Sequence, residues 1–123
     1  MKTLMKTEFT TDAPDKISQG AIKYDGGKPP IFRGTIDYFP RALEQVAAVS
    51  DFGASKYAWK GWEDVEGGFE RYSDAMVRHI TARAKGELKD SDSGLLHEAH
   101  TAWNALARLE LLLKKNAPEN DTN

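Results

Sequence analysis

The sequence predicts a mostly α fold: a small helical bundle of three main helices with a short N-terminal extended or hairpin segment. Three observations lead there. Apolar residues recur at helical spacing in three separate stretches. Glycine- and proline-bearing segments divide those stretches. The chain has 123 residues, enough for one modest core and too few for two.

Residues 1–19 are rich in Thr, Lys and Asp with scattered apolar positions, and read as a flexible tail. Residues 20–116 form the expected single domain, and 117–123 a second polar tail. Within the domain, Ile22 and Tyr24 alternate before the turn signal Asp25-Gly26, and Ile31 and Phe32 follow it, so a short hairpin is expected there. A first helix is expected from about Tyr38, capped by Asp37, with Leu43, Val46, Ala47 and Ser50 on one face. Residues 58–68 form a glycine-rich connection carrying Trp59 and Trp62.

The second helix is expected over 69–85, with Tyr72, Met76 and Ile80 in one stripe and Phe69 and Val77 beside it. An acidic link then holds Glu87, Asp90 and Asp92. The third helix runs from about Leu95 to Lys115, capped by Asp92 or Ser93. Leu95, Ala99, Ala102, Leu106, Leu109 and Leu113 make its broad apolar face, the expected contribution to the core. Lys114 and Lys115 favour the negative end of its dipole.

Several function classes fall away. Without cysteine there is no disulfide scaffold, thiolate metal site or cysteine nucleophile, which fits a cytoplasmic setting. A net charge of −2 gives no basic excess for coating long nucleic acid. No apolar run is long enough for a membrane helix, and the first residues do not read as a signal peptide. Rossmann, P-loop and HExxH signatures are absent, as is the GxSxG elbow.

What remains is carried by two constellations. On the third helix, His97, His100, Asn104 and Arg108 share a stripe about 80° wide, opposite the leucine face. His79 lies near the end of the second helix, so antiparallel packing would bring it level with His97 and His100. The link supplies Glu87, Asp90 and Asp92 at that same end. Imidazoles and carboxylates together suit a divalent cation, and an imidazole is a general base near neutral pH. The competing reading keeps the histidines as interface residues bonded to one another and to the acidic link. The second constellation is basic and aromatic: Lys23, Tyr24, Lys28 and Arg33, then Lys56, Tyr57, Trp59, Lys60 and Trp62, then Arg71 and Arg78. Lysines on glycine-rich loops can hold phosphates and aromatic rings can stack on a base. The alternative for the tryptophans is that they anchor the connection to the core.

Taken in order, a set of segments resembles a known family. These are Lys23-Tyr24-Asp25 with Gly27-Lys28, Pro40 with Ala42-Leu43 and Val46-Ala47, and Gly53-Ala54-Ser55-Lys56-Tyr57 with Gly61-Trp62. Arg78-His79, Gly86-Glu87, Asp90, Ser93-Gly94, His97, Ala99-His100, Ala102 and Asn104-Ala105-Leu106 complete it. Over about residues 20–112 the chain resembles the phage dATP/dGTP diphosphohydrolase N-terminal domain family, a relative of the all-α MazG-type pyrophosphohydrolases. The MazG type carries metal on an ExxE and ExxD pair of helices, a pattern this chain does not show cleanly; Glu44, Glu63, Glu66, Glu70 and Asp74 come nearest.

The resemblance implies a phage protein of nucleotide metabolism, acting in the host cytoplasm. It implies release of pyrophosphate from a purine deoxynucleoside triphosphate with the help of Mg2+ or Mn2+. On that reading His79, His97, His100 and Glu87 are the catalytic residues, and these four with Asp90 hold the cation. Lys23, Tyr24, Lys28, Lys56, Tyr57, Trp62, Arg78 and Asn104 bind the nucleotide. A different function uses the same loops: a nucleotide-binding sensor or phage sponge for a host signalling nucleotide, without hydrolysis. Three helices of this length bury limited area, so a homo-oligomer, dimer or tetramer, is expected.

Overall fold

The computed structural model describes residues 25–116 and is mostly helical, with three main helices. It falls into two units, Met1–Tyr38 and Phe39–Asn123. The two expected tails, the hairpin arm at Ile22 and Tyr24, and the site candidate Lys23 lie outside the described residues.

In the first unit, Asp25 to Lys28 close a turn through the Lys28 N–H donated to the Asp25 carbonyl at 3.1 Å. Ile31 and Phe32 do not form a second hairpin arm. Phe32–Ile36 is a single π-helical turn, closed by the Asp37 N–H on the Phe32 carbonyl at 2.9 Å. Pro29 and Pro30 precede it; neither can donate to a strand ladder, which disfavours the hairpin.

The second unit holds α1 (Pro40–Lys56), a 3-10 turn (Gly61–Asp64), α2 (Gly68–Ala84) and α3 (His97–Lys115). Pro40 occupies the first turn of α1, where its missing N–H has no helical partner to lose. Both α1 and α2 run antiparallel to α3. Along α2, Gly68 lies against Leu111, Ser73 bonds Arg108, His79 meets His97, and Arg83 faces Glu98. Along α1, Ser50 bonds Trp103, the Phe52 ring meets the His100 ring, and Lys56 reaches Asp92. Gly68 permits the close approach at one end: a Cβ there would stand 3.2 Å from the Tyr72 ring and 3.5 Å from Leu111. The 3-10 turn is tied back by Glu63 to Lys114 at 3.1 Å.

The orientation of α3 corrects the sequence expectation. Its inward face is the polar stripe: His97, His100 and Asn104 are buried and Arg108 is half-buried. The leucine face points outward, with Leu106, Leu109 and Leu113 exposed. On α2 Val77 and Ile80 are exposed and His79 is half-buried against α3. Of the expected apolar faces, Ala99 on α3 is buried and Tyr72 and Met76 on α2 are half-buried, whereas the large residues Leu106, Leu109, Leu113 and Ile80 are exposed. Among the described residues only Val49, Ala99 and Ala107 are buried apolar side chains. Facing elements supply hydrogen-bond partners for part of that stripe: His79 for His97, Ser93 for His100 and Ser73 for Arg108.

The link between α2 and α3 is built by a Schellman ending. Gly86, at φ 104°, follows the C-cap Lys85. The Gly86 N–H donates to the Arg83 carbonyl and the Glu87 N–H to the Ala82 carbonyl, both at 3.0 Å. The chain then pairs with the start of α3: the His97 N–H donates to the Leu88 carbonyl at 3.1 Å and the Asp90 N–H to the Leu95 carbonyl at 2.8 Å. Neither Asp92 nor Ser93 caps α3; its N-cap is Leu96, whose backbone is extended. Replacing Gly86 with Ala puts a Cβ into a left-handed backbone and should lower unfolding free energy by about 1 kcal/mol. Urea denaturation checks this, with an unchanged midpoint as the contrary result.

Candidate functional site

The ends of α2 and α3 and the link between them bring three histidines together. The Nδ1 atoms of His79 and His97 are 2.8 Å apart, so one of them carries the hydrogen that the other accepts. The His79 ring stacks on His100, with centroids 4.3 Å apart and planes 6° from parallel. The His100 Nε2 and the Ser93 hydroxyl are 2.7 Å apart, and the Leu95 N–H donates to that hydroxyl oxygen at 3.1 Å. Asn104 donates from Nδ2 to the His100 carbonyl at 2.8 Å, one turn back on the same helix.

Asp90 is held by its own loop. Its Oδ2 accepts the N–H groups of Ser93 at 2.8 Å and Asp92 at 3.1 Å. One ligand atom each from His79, Asp90 and His97 can be chosen so that all lie within 4.8 Å of one another. Glu87 stands apart from that group, with Oε1 3.4 Å from Nε2 of His97 on the far side of the ring. That contact is longer than a hydrogen bond, and the buried Nε2 has no hydrogen-bond partner among the described residues.

Burial and charge set the protonation of the cluster. Desolvation lowers the His79 pKa below its ordinary 6.5, and the neighbouring His100 lowers it further, against an opposing pull from Asp90. Desolvation lowers His100 likewise, with His97 adding to it and Asp90 opposing. Burial works to raise Asp90, but the Ser93 N–H and hydroxyl and the nearby His100 and His79 outweigh it. The carboxyl sits below its ordinary 3.8.

His79, His100, Asn104 and Asp90 also line an open cleft of about 980 Å³. Lys56, Lys60, Arg71 and Arg78 line it as well. Tyr57 and Trp59 lie on its wall and are 74% and 68% exposed, so their rings are available to a ligand. Trp62 is differently placed. It packs edge-on against Trp103 at 5.6 Å and Tyr72 at 6.0 Å, and its carbonyl accepts the Tyr72 hydroxyl at 2.6 Å. Trp103 in turn donates from Nε1 to the Ser50 hydroxyl at 2.8 Å. This aromatic wedge joins the connection to α1, α2 and α3. Burial raises the Tyr72 hydroxyl pKa, and the nearby Tyr57 reinforces the shift. Lys60 adopts φ 67°, an uncommon left-handed backbone for a residue with a Cβ.

Of the sequence candidates, His79, His97, His100 and Asp90 are thus gathered, with Glu87 behind His97. Lys56, Tyr57, Trp62, Arg78 and Asn104 line the same cleft. Lys28 is exposed within the Met1–Tyr38 unit. Tyr24, like Lys23, falls outside the described residues. The sequence marks Ser93 as a possible helix cap and as part of the Ser93-Gly94 resemblance segment, without a role in the site, and does not single out Trp103.

A family profile described as "dATP/dGTP diphosphohydrolase, N-terminal" matches residues 18–121. A protein of Salmonella phage PMBT28 described as "dATP/dGTP diphosphohydrolase" is 37% identical over 100 residues, covering 81% of this chain and 32% of that protein. The chain therefore spans about a third of that relative's length. No solved structure matches. Among the described residues no helix is long and apolar enough to cross a membrane.

The depressed imidazoles fix the sign of a pH effect. Between the lowered folded pKa and the ordinary 6.5, the unfolded chain binds protons that the folded chain does not. Stability is therefore complete above about pH 6.5 and declines on acidification, with Asp90 adding loss in the same direction at lower pH. Tm followed in chelator from about pH 8 to about pH 5 should fall. A flat or rising Tm is the contrary result.

Proposed function

Because this chain belongs to the dATP/dGTP diphosphohydrolase N-terminal family, we propose that it handles a purine deoxynucleoside triphosphate in its cleft and cleaves it to monophosphate and pyrophosphate. The convergence of His79, Asp90 and His97, of which His79 and Asp90 line a cleft shared with basic and aromatic residues, carries this reading. As a phage protein it would act on the nucleotide pool of the host cell.

Two imidazoles and one carboxylate are a donor set that fits a borderline divalent cation. Mn2+ suits it better than Mg2+, which prefers oxygen ligands throughout. His79, His97 and Asp90 would hold the ion, and His100 and Glu87 support them from either side. A bound cation would supply neutralisation of negative charge on the triphosphate.

The remaining steps belong to the protein's own side chains. Lys56, Lys60, Arg71 and Arg78 hold phosphate oxygens. The left-handed backbone at Lys60 supports its place there, since such conformations gather at functional sites. Tyr57 and Trp59 stack on the base. His100, kept neutral by burial and facing the cleft, accepts the proton of the water that attacks the α-phosphorus. The bond to the bridging oxygen breaks and pyrophosphate leaves.

Incubation of dATP and dGTP with Mn2+, with products resolved by anion exchange, should give the monophosphates and pyrophosphate. Nucleotide recovered intact from active-site-saturating protein is the contrary result. Asp90→Asn retains an oxygen for the Ser93 and Asp92 N–H groups and removes the charge. It should cut turnover by about 100-fold or more while leaving the helical circular-dichroism signal in place, with Tm lowered as protonation of Asp90 would lower it.

The outward leucines support a second copy of the chain as the partner of α3. Ala102, Leu106, Leu109 and Leu113 follow the alternating four- and three-residue spacing of a helix–helix seam. Such a stripe is self-complementary about a two-fold axis. Light scattering should therefore give at least twice the 13.7 kDa chain mass. Leu109→Glu with Leu113→Glu should return the monomer; a monomeric wild type overturns the assembly.

A further inference from the structure

Glu87 owes its position to the ending of α2. Gly86 turns the chain, the Glu87 N–H closes on the Ala82 carbonyl, and Leu88 then pairs with the His97 N–H. The Glu87 side chain is delivered to the outer edge of the His97 ring, with Oε1 3.4 Å from Nε2. That nitrogen has no hydrogen-bond partner among the described residues, and His97 as a whole is only 3% exposed. The opposite nitrogen, Nδ1, faces His79 at 2.8 Å. The two edges of one imidazole thus have different tasks, and the hydrogen can sit on only one of them while the ring is neutral.

We infer that Glu87 is a positioning residue: its carboxylate takes the Nε2–H of His97, fixes the ring in that tautomer and leaves the Nδ1 lone pair directed at His79. The inference deepens the cation-site reading proposed above and rests on it for its use, though the tautomer itself does not require a cation. Without an acceptor at this edge, the buried Nε2–H is unsatisfied and the hydrogen moves to Nδ1, where it blocks the lone pair. Glu87 is half exposed at its side chain, so small rotations can shorten the contact to hydrogen-bond length. A carboxylate behind a ligating imidazole also raises its basicity and typically changes ion affinity by about 10–100-fold. Glu87 engages the ring from the side opposite the convergent atoms, which distinguishes it from a ligand.

The test separates the tautomer from the ion. In chelator, long-range 1H–15N correlation of the imidazoles should show His97 as Nε2–H in the wild type and in E87Q, whose amide oxygen also accepts. In E87A the signal should shift toward the Nδ1–H form. Mn2+ titration should give E87A an affinity about 10–100-fold weaker, with E87Q within a few-fold of wild type. Helical circular dichroism and Tm confirm that each variant is folded. An unchanged His97 tautomer in E87A overturns the inference, and so does E87Q binding Mn2+ as poorly as E87A, which makes Glu87 a ligand. A wild type that shows the tautomer shift in E87A but no Mn2+ affinity upholds the positioning role and sinks the cation reading instead.

Discussion

The structure turns on one constraint: α3 buries its polar face. His97, His100 and Asn104 are inside, and each must find hydrogen-bond partners where water does not reach. Much of the second unit answers that need. α2 runs antiparallel so that His79 arrives at His97 and Ser73 at Arg108. The link contributes the Ser93 hydroxyl to His100. α1 adds the edge of Phe52 to His100 and the Ser50 hydroxyl to Trp103. A polar interface of this kind specifies one register, because sliding α2 along α3 by a turn would leave several donors and acceptors without partners.

The same constraint explains the chemistry of the cleft. Burial keeps His79 and His100 neutral, so their lone pairs stay available. Asp90 is kept ionised by the N–H groups of its own loop rather than by a distant cation, so its charge is local and fixed. Basic side chains line other parts of the cleft. A site with neutral imidazoles, a fixed carboxylate and flanking ammonium and guanidinium groups suits a polyanion that arrives with a metal ion.

The helices were legible because each carries strong periodicity and clear punctuation. Gly67-Gly68 and Gly86 bracket α2, and Pro40 opens α1. The clustering of histidines was legible from antiparallel geometry and a short link. Which face of α3 lies inside was not. Leu106, Leu109 and Leu113 look like a core from sequence, and a helix seam between molecules has the same spacing as one within a molecule. The role of Trp62 was ambiguous for a related reason: an aromatic in a loop serves equally as wedge or platform until its neighbours Tyr72 and Trp103 are known. Ser93 was hidden because its hydroxyl acts across the loop on His100, a contact that helix-cap rules do not anticipate.

The link between α2 and α3 is short, and its closure has a kinetic side. His79, Asp90, Ser93, His97, His100 and Asn104 come from one uninterrupted helical hairpin. Their contacts span few residues, so little chain entropy is lost in forming them. Low contact order of this sort goes with fast folding. The hairpin can thus assemble before the Trp62–Tyr72–Trp103 wedge draws α1 into place. A chain emerging from the ribosome would complete this pocket of polar groups soon after α3 is released, the Tyr72–Trp103 contact of the same hairpin included.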